Sequence, residues 1–485
     1  MTEKLQDVDK VFDVAILGTG WGGLIAALQL IQTQRTVLLL KEKRFRPTYL
    51  REGYRFLPFS NFSEKRIPVS LLRKILPSSD LLDREKVEQP AKPQIFYQVI
   101  LPNARIDLYR DPSLFQREMK REFPTEWRQI ESFYGEMDRI KKVVDQAKKR
   151  EKNSISFPIH SGFSIKEWLS SEGRLKREWN RWLSAFSVEF NQLIQLQMVF
   201  NGNLCPGPFP ISLASYLLRM DEKDREEKGI DLEMLTQGVL ERYNRSGGRI
   251  EEIEGVEKVE MNRRKGFHLF LKGREGSVQS RFLILNIPLH RCASLLGKRG
   301  EVLSKWQEKI QPRYVMIPFF LGVRERGIPV GMKDRLVSVL DLERPWEGGN
   351  LLLISMSEKG DERQAPEGKR ALTAQALLPF GKWDRDHIPI LREGVMNHLK
   401  HLFPFLENHL EFFDQTWVED QKDCWSYPHF LFETHSAFKW RKGVVPLRMS
   451  KGLFFSGKEN FPYLGLEGEI LGGILLGRKM MELVQ

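Results

Sequence analysis

The sequence predicts an α/β fold, in which a Rossmann-like dinucleotide-binding domain is assembled from discontinuous segments and joined to an α+β substrate domain with a mixed sheet and helices. Two observations point to this class. An apolar run of strand length, Phe12 to Leu17, leads into a glycine-rich turn and an apolar helix. Segments with strand and helix periodicity then return near Gly229 and at the C-terminus. With 485 residues the chain should form more than one domain, because single cores stop growing at about 250–300 residues.

The glycine-rich turn has the spacing of a dinucleotide fingerprint. Gly18 suits the tight turn after the strand, Gly20 leaves room for a diphosphate, and Gly23 lets the next helix pack closely on the strand. Unpaired N–H groups and a partial positive charge at the helix N-terminus attract the diphosphate. A second apolar strand, Thr36 to Leu40, follows in register. The predicted binding residues of this turn are Gly18, Gly20, Trp21, Gly22 and Gly23.

The remaining blocks suggest a domain folded from pieces that are distant in sequence. A helical stretch ends at Gly247-Gly248, and strand-like spacing follows from Arg249 to Met261. A buried strand, Phe282 to Pro288, comes next, and the C-terminus offers a strand at Leu453 to Ser456 and a helix from about Gly465. We therefore assign residues 1–60, 229–300 and 421–485 to the dinucleotide-binding domain.

The intervening blocks, 61–228 and 301–420, are assigned to a substrate or lid domain. The first is charged and predicted to be rich in helices, with a capping box at Ser164 to Glu167. The second combines a helix near 388–403 with strand signals at Val315 to Val323, Asn350 to Met356 and Ala371 to Leu378.

The charge balance points to an acidic partner. Lys and Arg outnumber Asp and Glu by 76 to 64, a net charge of +12, but no nucleic-acid-binding motif is present. An anionic membrane surface is the better candidate. The segment Arg139 to Lys152 carries an apolar stripe among basic residues, so it would either lie on lipid or pack its stripe on the core.

The remaining composition indicates a cytoplasmic protein. No apolar stretch reaches the roughly 18–20 residues that span a bilayer, and residues 1–10 lack the apolar region of a signal peptide. Cys205, Cys292 and Cys424 are odd in number and widely spaced, as small core residues would be. His398 and His401 share a predicted helix face without a third ligand, so no metal site is expected.

Six segments, in order along nearly the whole chain, resemble the FAD-dependent amine-oxidoreductase superfamily, most closely its branch of phytoene desaturases and carotenoid isomerases. They are the fingerprint, Glu52 to Phe56, Leu101 to Asp107 with Phe123-Pro124, Gly247 to Val256, Leu285-Asn286-Ile287-Pro288, and Phe455-Ser456-Gly457 with Pro462 to Gly468.

This resemblance implies that FAD is the cofactor and that the C-terminal helix begins beside the flavin. Beyond the fingerprint it implies that the cofactor contacts come from Lys41, Glu42, Lys43, Arg44, Arg55, Val256, Asn286, Pro288, Gly457, Lys458, Glu459, Gly465, Leu466, Glu467 and Ile470. It also implies hydride transfer to or from a lipophilic polyene or isoprenoid, for which the aromatic residues of Trp425 to Phe432 would line a tunnel or simply fill the core. No catalytic side chain is singled out.

Three departures from the superfamily pattern leave alternatives open. Without gaps, the acidic residue expected to bind the adenosine ribose falls on Lys41, with Glu42 one place later. Arg44 to Pro47 stands where the pattern has a glycine-containing clamp, and Lys458 stands where it has an acid. A protein that keeps the fold with a degenerate cofactor site and acts as a binding or assembly partner is therefore one alternative. An amine oxidase acting on a soluble substrate is another.

Overall fold

The strands of the computed structural model form two large sheets and one small hairpin. The structure describes residues 11–58, 95–109, 111–149, 181–205, 211–218, 232–262, 266–382, 386–421, 424, 429–434 and 444–484. The strands in these ranges are β1 (Val11–Leu17), β2 (Val37–Glu42), β3 (Tyr49–Arg51), β4 (Tyr54–Phe56), β5 (Ile95–Leu101), β6 (Ala104–Tyr109), β7 (Arg249–Ile253), β8 (Val256–Asn262), β9 (Gly266–Leu271), β10 (Val278–Leu285), β11 (Ile310–Arg324), β12 (Arg335–Val339), β13 (Leu351–Met356), β14 (Lys369–Pro379), β15 (Leu410–Asp414), β16 (His429–Thr434), β17 (Arg448–Ser450) and β18 (Leu453–Phe455).

The helices lie on the faces and edges of these sheets. In the same ranges they are α1 (Trp21–Ile31), α2 (Pro112–Glu122), α3 (Trp127–Lys149), α4 (Val188–Gly202), α5 (Ile211–Leu218), α6 (Leu232–Arg245), α7 (Leu289–Leu296), α8 (Glu301–Gln307), α9 (His387–Leu402), α10 (Leu406–His409), α11 (Thr416–Gln421) and α12 (Gly465–Val484). The predicted α/β class is confirmed.

The first sheet carries the Rossmann-like arrangement. Its order is β17-β18-β10-β1-β2-β7, and the five strands from β18 to β7 are parallel. An antiparallel hairpin, β8 and β9, joins through β9 to β10. Residues Val14 to Leu17 of β1 have no exposed surface, as expected for parallel strands covered on both faces. The strand-like run from Arg249 to Met261 forms two strands, β7 and β8.

The second sheet has the order β15-β11-β14-β13-β12-β5-β6, and β16 also pairs with β11. The hairpin of β5 and β6 comes from the block that was predicted to be rich in helices. β16 comes from the span assigned to the dinucleotide-binding domain, yet it belongs to this second sheet. The small β3–β4 hairpin contacts the same sheet, since Gln375 of β14 donates a side-chain hydrogen bond of 2.8 Å to the carbonyl of Pro58, just beyond β4.

Helices α1 and α12 cross one face of the first sheet in close contact. A Cβ atom on Gly473 of α12 would lie 2.6 Å from the carbonyl oxygen of Gly22. Only glycine allows this approach, because real Cβ atoms essentially never show such a contact. The C-terminal helix is therefore held directly over the glycine-rich turn.

Two other sequence expectations can be placed. Ile140 of α3 is buried with Ile130 and Met137, so this part of the apolar stripe packs on the core. Val143, Val144 and Ala147 lie where the side chains of α3 are outside the described part, as does the capping box at Ser164. Cys292 and Cys424 are buried and Cys205 is half-buried, all as free thiols. Among the helices in the described ranges, none combines the length and apolarity needed to cross a membrane.

Candidate functional site: the carboxyl edge of the first sheet

The parallel strands of the first sheet all end at one edge, and the predicted glycine-rich turn lies there. Ligands of open α/β sheets bind outside the carboxyl ends of the strands. The backbone N–H of Gly18, directly after β1, donates to the carbonyl of Leu40 in β2 at 3.0 Å. The N–H of Asn286, directly after β10, donates to the carbonyl of Leu17 at 2.8 Å. The turn is thereby fixed between the two neighbouring strands.

The glycines of the turn are required by close contacts. Gly18 has a φ of +106°, and a Cβ atom there would lie 2.2 Å from the carbonyl oxygen of Asn286. A Cβ on Gly23 would lie 2.6 Å from Asn286 Oδ1, and one on Gly22 would lie 2.3 Å from Ser456 Oγ. The glycines therefore let three strand ends and α1 meet at one point.

Two polar atoms at this point have no hydrogen-bond partner within the described part of the chain. They are Asn286 Oδ1 and Ser456 Oγ, and both are buried. Most buried polar groups in proteins are hydrogen-bonded, so unpaired atoms call for an explanation. A polar ligand at the glycine-rich turn supplies one, and the residues of this edge fit a dinucleotide.

The end of β2 distinguishes Lys41 from Glu42. Successive strand residues point to opposite faces. Lys41 is partly exposed, and its Nζ lies 2.8 Å from Glu252 Oε1 of β7. Glu42 is 5% exposed at the carboxyl end of the strand. Glu42 is thus the buried carboxylate at the end of β2, whereas Lys41 forms a surface ion pair.

Lys43 and Arg44 both pair with one surface carboxylate. Their nitrogens lie 3.1 Å and 3.3 Å from the two oxygens of Glu254, and Lys43 in particular holds the Glu254 pKa below its ordinary value. Exposed ion pairs of this kind contribute little to stability. Both cations are therefore free to exchange this partner for a phosphate at small cost.

The segment after β18 places a second carboxylate at the same edge. Glu459 is 4% exposed, and its Oε1 accepts a 2.8 Å hydrogen bond from the N–H of Leu289. Pro288 caps α7 immediately before that residue. Burial raises the pKa of Glu459 to about 7, although this hydrogen bond and nearby Lys458 oppose the shift. Glu459 thus caps α7, while the N–H of Gly457 donates to Asn460 Oδ1 at 2.7 Å.

Glu469 of α12 is the residue that sequence reasoning missed. Its side chain is buried, at 6% exposed, and Oε1 lies 2.5 Å from the position of a Cβ on Gly20. The N–H groups of Trp21 and Gly22 are directed to the carboxylate, but burial outweighs them and raises its pKa. The available signal was a second acid, two residues after Glu467 and directly before the apolar run Ile470 to Leu476.

The other predicted residues of α12 have partners of their own. Gly465 begins the helix with a φ of +56°. Both carboxylate oxygens of Glu467 lie 2.7 Å from Tyr216 Oη of α5, which donates to them. Leu466 and Ile470 are buried in a cluster with apolar residues of α1. Their side chains pack the helix onto the sheet.

Arg55 and Val256 were also predicted to contact the cofactor, and their surroundings differ from each other. Val256 is buried in the core at the start of β8. Arg55, in β4, lines a cavity of about 440 Å³ together with Lys333, Arg335 and Thr373 of the second sheet region. The structure thus places Arg55 beside the second sheet, at a cavity whose lining includes several charged residues.

Aromatic residues fill the region where β16 meets α7. Phe430 is 2% exposed, and its ring centre lies 5.6 Å from that of Phe380 and 5.4 Å from that of His290. Burial lowers the pKa of His290 to about 4. The described part of the aromatic segment is thus core packing, and residues 425–428 lie outside the described ranges.

The buried histidine of α9 has a structural environment. His398 Nδ1 donates to the carbonyl of Gly349 at 2.7 Å, and Nε2 accepts from Ser338 Oγ at 2.8 Å. Burial lowers its pKa to about 4. Within the described ranges, no group of three or more His, Cys, Asp or Glu side chains is placed to hold a metal ion.

Comparisons with known proteins agree with this geometry. No profile of a known protein family matches the chain. The chain is 24% identical over 446 residues to prolycopene isomerase of the chloroplast from Arabidopsis thaliana, covering 83% of this chain and 71% of that protein.

Solved structures share the fold at low sequence identity. Putrescine oxidase bound to putrescine matches with a TM-score of 0.61 at 14% identity, over 98% of this chain and 99% of that one. Cyclohexylamine oxidase from Brevibacterium oxydans matches with a TM-score of 0.57 at 14% identity, over 98% and 100%. Both likenesses extend over the two sheets together.

Proposed function

We propose that this chain is a FAD-dependent oxidoreductase of the amine-oxidoreductase superfamily, and its sequence match and its fold support the proposal. The observation that carries the proposal is the carboxyl edge of the first sheet. There the Gly18–Gly23 turn meets two buried and unpaired polar atoms, on Asn286 and Ser456. When bound, FAD supplies the hydride chemistry at its isoalloxazine ring.

Different residues of this edge would contact different parts of the cofactor. The glycines and the N–H groups of Trp21 and Gly22 would take the diphosphate. Glu42, buried at the end of β2, would accept hydrogen bonds from the adenosine ribose. The N–H groups at the start of α12, from Gly465, would face the flavin and stabilise negative charge on its reduced form.

The proposed substrate is a lipophilic polyene or isoprenoid that is desaturated or isomerised. Support comes from the relative, whose name specifies prolycopene. The alternative of an amine substrate is favoured by the names of the structural neighbours, putrescine oxidase and cyclohexylamine oxidase. Incubation of the FAD-loaded protein with prolycopene or with putrescine separates these alternatives. A change in the polyene absorption spectrum supports the first, and oxygen consumption with the amine supports the second.

Cofactor binding is tested first, by the visible spectrum of the purified protein. A yellow protein, either as purified or after incubation with excess FAD and gel filtration, is the expected result. A preparation that stays colourless even with excess FAD contradicts the flavoenzyme and favours the alternative of a binding or assembly partner.

The proposal also includes peripheral contact with an anionic membrane, supported by the net charge of +12. Because Ile140 of α3 is buried in the core, the contact would be electrostatic. Sedimentation with anionic liposomes should then be strong at low salt and lost at high salt, since salt screens exposed charges. Absence from the pellet at both salt concentrations contradicts this part.

A further inference from the structure

The position for a diphosphate at the N-terminus of α1 is taken by a side chain of the protein itself. Gly20 lacks a Cβ, and the space that this creates is filled by Glu469, whose Oε1 lies 2.5 Å from the Cβ position. The carboxylate also faces the N–H groups of Trp21 and Gly22. These are the groups that a bound diphosphate would need.

The position of Glu469 is imposed by the packing of α12. Gly473, one turn further along, lies against Gly22 with a 2.6 Å approach of its Cβ position to the carbonyl oxygen. Ile470 and Ile474 are buried against α1. The backbone of α12 therefore cannot move away without opening this contact, and only the side chain of Glu469 is left to move.

The surroundings of Glu469 disfavour a further negative charge. Glu459 is buried close enough to interact electrostatically with Glu469, and Lys458 is the cation that acts on both carboxylates. A diphosphate brought into this space would meet Glu469 at contact distance. Like charges at such distances repel strongly in a buried environment.

We propose that the Glu469 carboxylate is an internal substitute for the cofactor diphosphate, which must displace it in order to bind. This inference rests on the proposed function, because it assumes that the dinucleotide uses the Gly18–Gly23 turn. It makes Glu469 a residue that limits cofactor affinity. Removing the carboxylate should strengthen the binding of any ligand that carries the diphosphate.

The test compares Glu469→Ala, which empties the space, and Glu469→Gln, which keeps the size and removes the charge, with the natural chain. Glu482→Ala, an exposed acid on the same helix, is the matched control. Each protein is titrated with FAD, with ADP, which carries the diphosphate, and with riboflavin, which has none. Melting temperatures without ligand establish that each variant is folded, and the glutamine variant preserves the test if the alanine variant does not fold.

We expect Glu469→Ala to bind FAD and ADP at least about tenfold more tightly than the natural chain. Glu469→Gln should gain affinity in the same direction, while Glu482→Ala and all riboflavin titrations stay unchanged. If FAD binds the natural chain and the Glu469 variants equally, the inference is overturned and the proposed function stands. If the Glu469 variants bind ADP more tightly but no chain binds FAD, the result supports displacement of Glu469 by a diphosphate and contradicts the proposed FAD-dependent function. No gain with either ligand overturns the inference.

Discussion

Two neighbouring residues at the end of β2 have opposite environments. These environments determine which of the two side chains can form hydrogen bonds with a ribose. Lys41 forms an exposed ion pair with Glu252, whereas Glu42 is 5% exposed. A charged hydrogen bond contributes about 1.5–3 kcal/mol. Loss of the Glu42 carboxylate should therefore weaken the binding of the cofactor.

We predict that Glu42→Gln weakens FAD binding by roughly ten- to a hundredfold, following the energy of a charged hydrogen bond. Lys41→Ala should change the dissociation constant by less than about threefold, because exposed ion pairs contribute little. Calorimetric titration of both variants with FAD, in the natural chain and in the Glu469→Ala background, measures this. A larger loss in Lys41→Ala than in Glu42→Gln would show that the lysine has taken over the ribose.

The buried carboxyl of Glu459 should make the stability depend on pH. Its pKa is about 7 in the folded protein, against an ordinary value of 4.5. The folded state thus holds this proton more tightly than the unfolded state does. The stabilisation is complete below the unfolded pKa and is lost as the pH rises through the folded pKa, which amounts to about 3 kcal/mol.

The glutamine of Glu459→Gln cannot ionise. The free energy of unfolding of this variant should therefore rise by about 3 kcal/mol relative to that of the natural chain between about pH 5 and pH 8. His290 and His398, whose folded pKa values are lowered to about 4, change stability in the opposite direction over part of this range. They are the same in both chains, so their contribution cancels in the difference. Urea unfolding of both chains at the two pH values measures this difference in unfolding free energy. A difference that does not change with pH would be incompatible with a buried, titrating Glu459.

Among the elements, the β3–β4 hairpin is attached to the second sheet by tyrosine hydroxyls. Tyr54, 1% exposed, donates to Glu411 Oε2 at 2.7 Å, and Lys369 Nζ donates to the same oxygen at 2.9 Å. Tyr49 donates to Asp414, which is also paired with Arg51. Burial, with these bonds, raises the pKa of both tyrosines. At Asp414 burial opposes the hydrogen bonds, which together lower its pKa to about 2.

We predict that Tyr54→Phe costs about 1.5–3 kcal/mol of unfolding free energy, because it removes a donor from the half-buried carboxylate of Glu411. Tyr109→Phe in β6 is the matched control, since the Tyr109 hydroxyl has no hydrogen-bond partner within the described ranges. It should change stability by less than about 0.5 kcal/mol. Urea unfolding at neutral pH distinguishes the two, and equal costs would mean that the hydroxyl of Tyr54 does not hold the hairpin.

At the scale of the whole molecule, local patterns predicted the first sheet better than the second. The strand, glycine turn and helix of residues 12–30 depend on short-range spacing, and β10, β18 and α12 show the same kind of signal. By contrast, the β5–β6 hairpin and β16 take their places through pairing with β12 and β11, which are far away in sequence. No local pattern specifies such partners. The hairpin was therefore included in a block predicted to be rich in helices, and β16 was assigned to the dinucleotide-binding domain.

The candidate site shows the same division. The glycines were predicted because their backbone geometry follows from a local motif, and Asn286 was predicted from the family resemblance of Leu285 to Pro288. Glu469 was not, because its role depends on α12 crossing α1 so that a carboxylate 446 positions after Gly23 reaches the turn. Glu459 was expected at the cofactor, whereas in the fold it caps α7.

Titration of FAD into Gly20→Ala shows most directly whether FAD binds on the Gly18–Gly23 turn. Gly20 has a φ of −64°, so alanine is compatible with its backbone, and its Cβ would meet side-chain ends rather than backbone, Glu469 Oε1 at 2.5 Å and the Asn286 amide at 2.9 Å. Gly135→Ala in α3, where a Cβ has nothing within 4 Å, is the control. We predict that Gly20→Ala stays folded but no longer binds FAD, while Gly135→Ala binds FAD as the natural chain does. Unchanged FAD affinity in a folded Gly20→Ala protein would contradict binding of FAD on this turn.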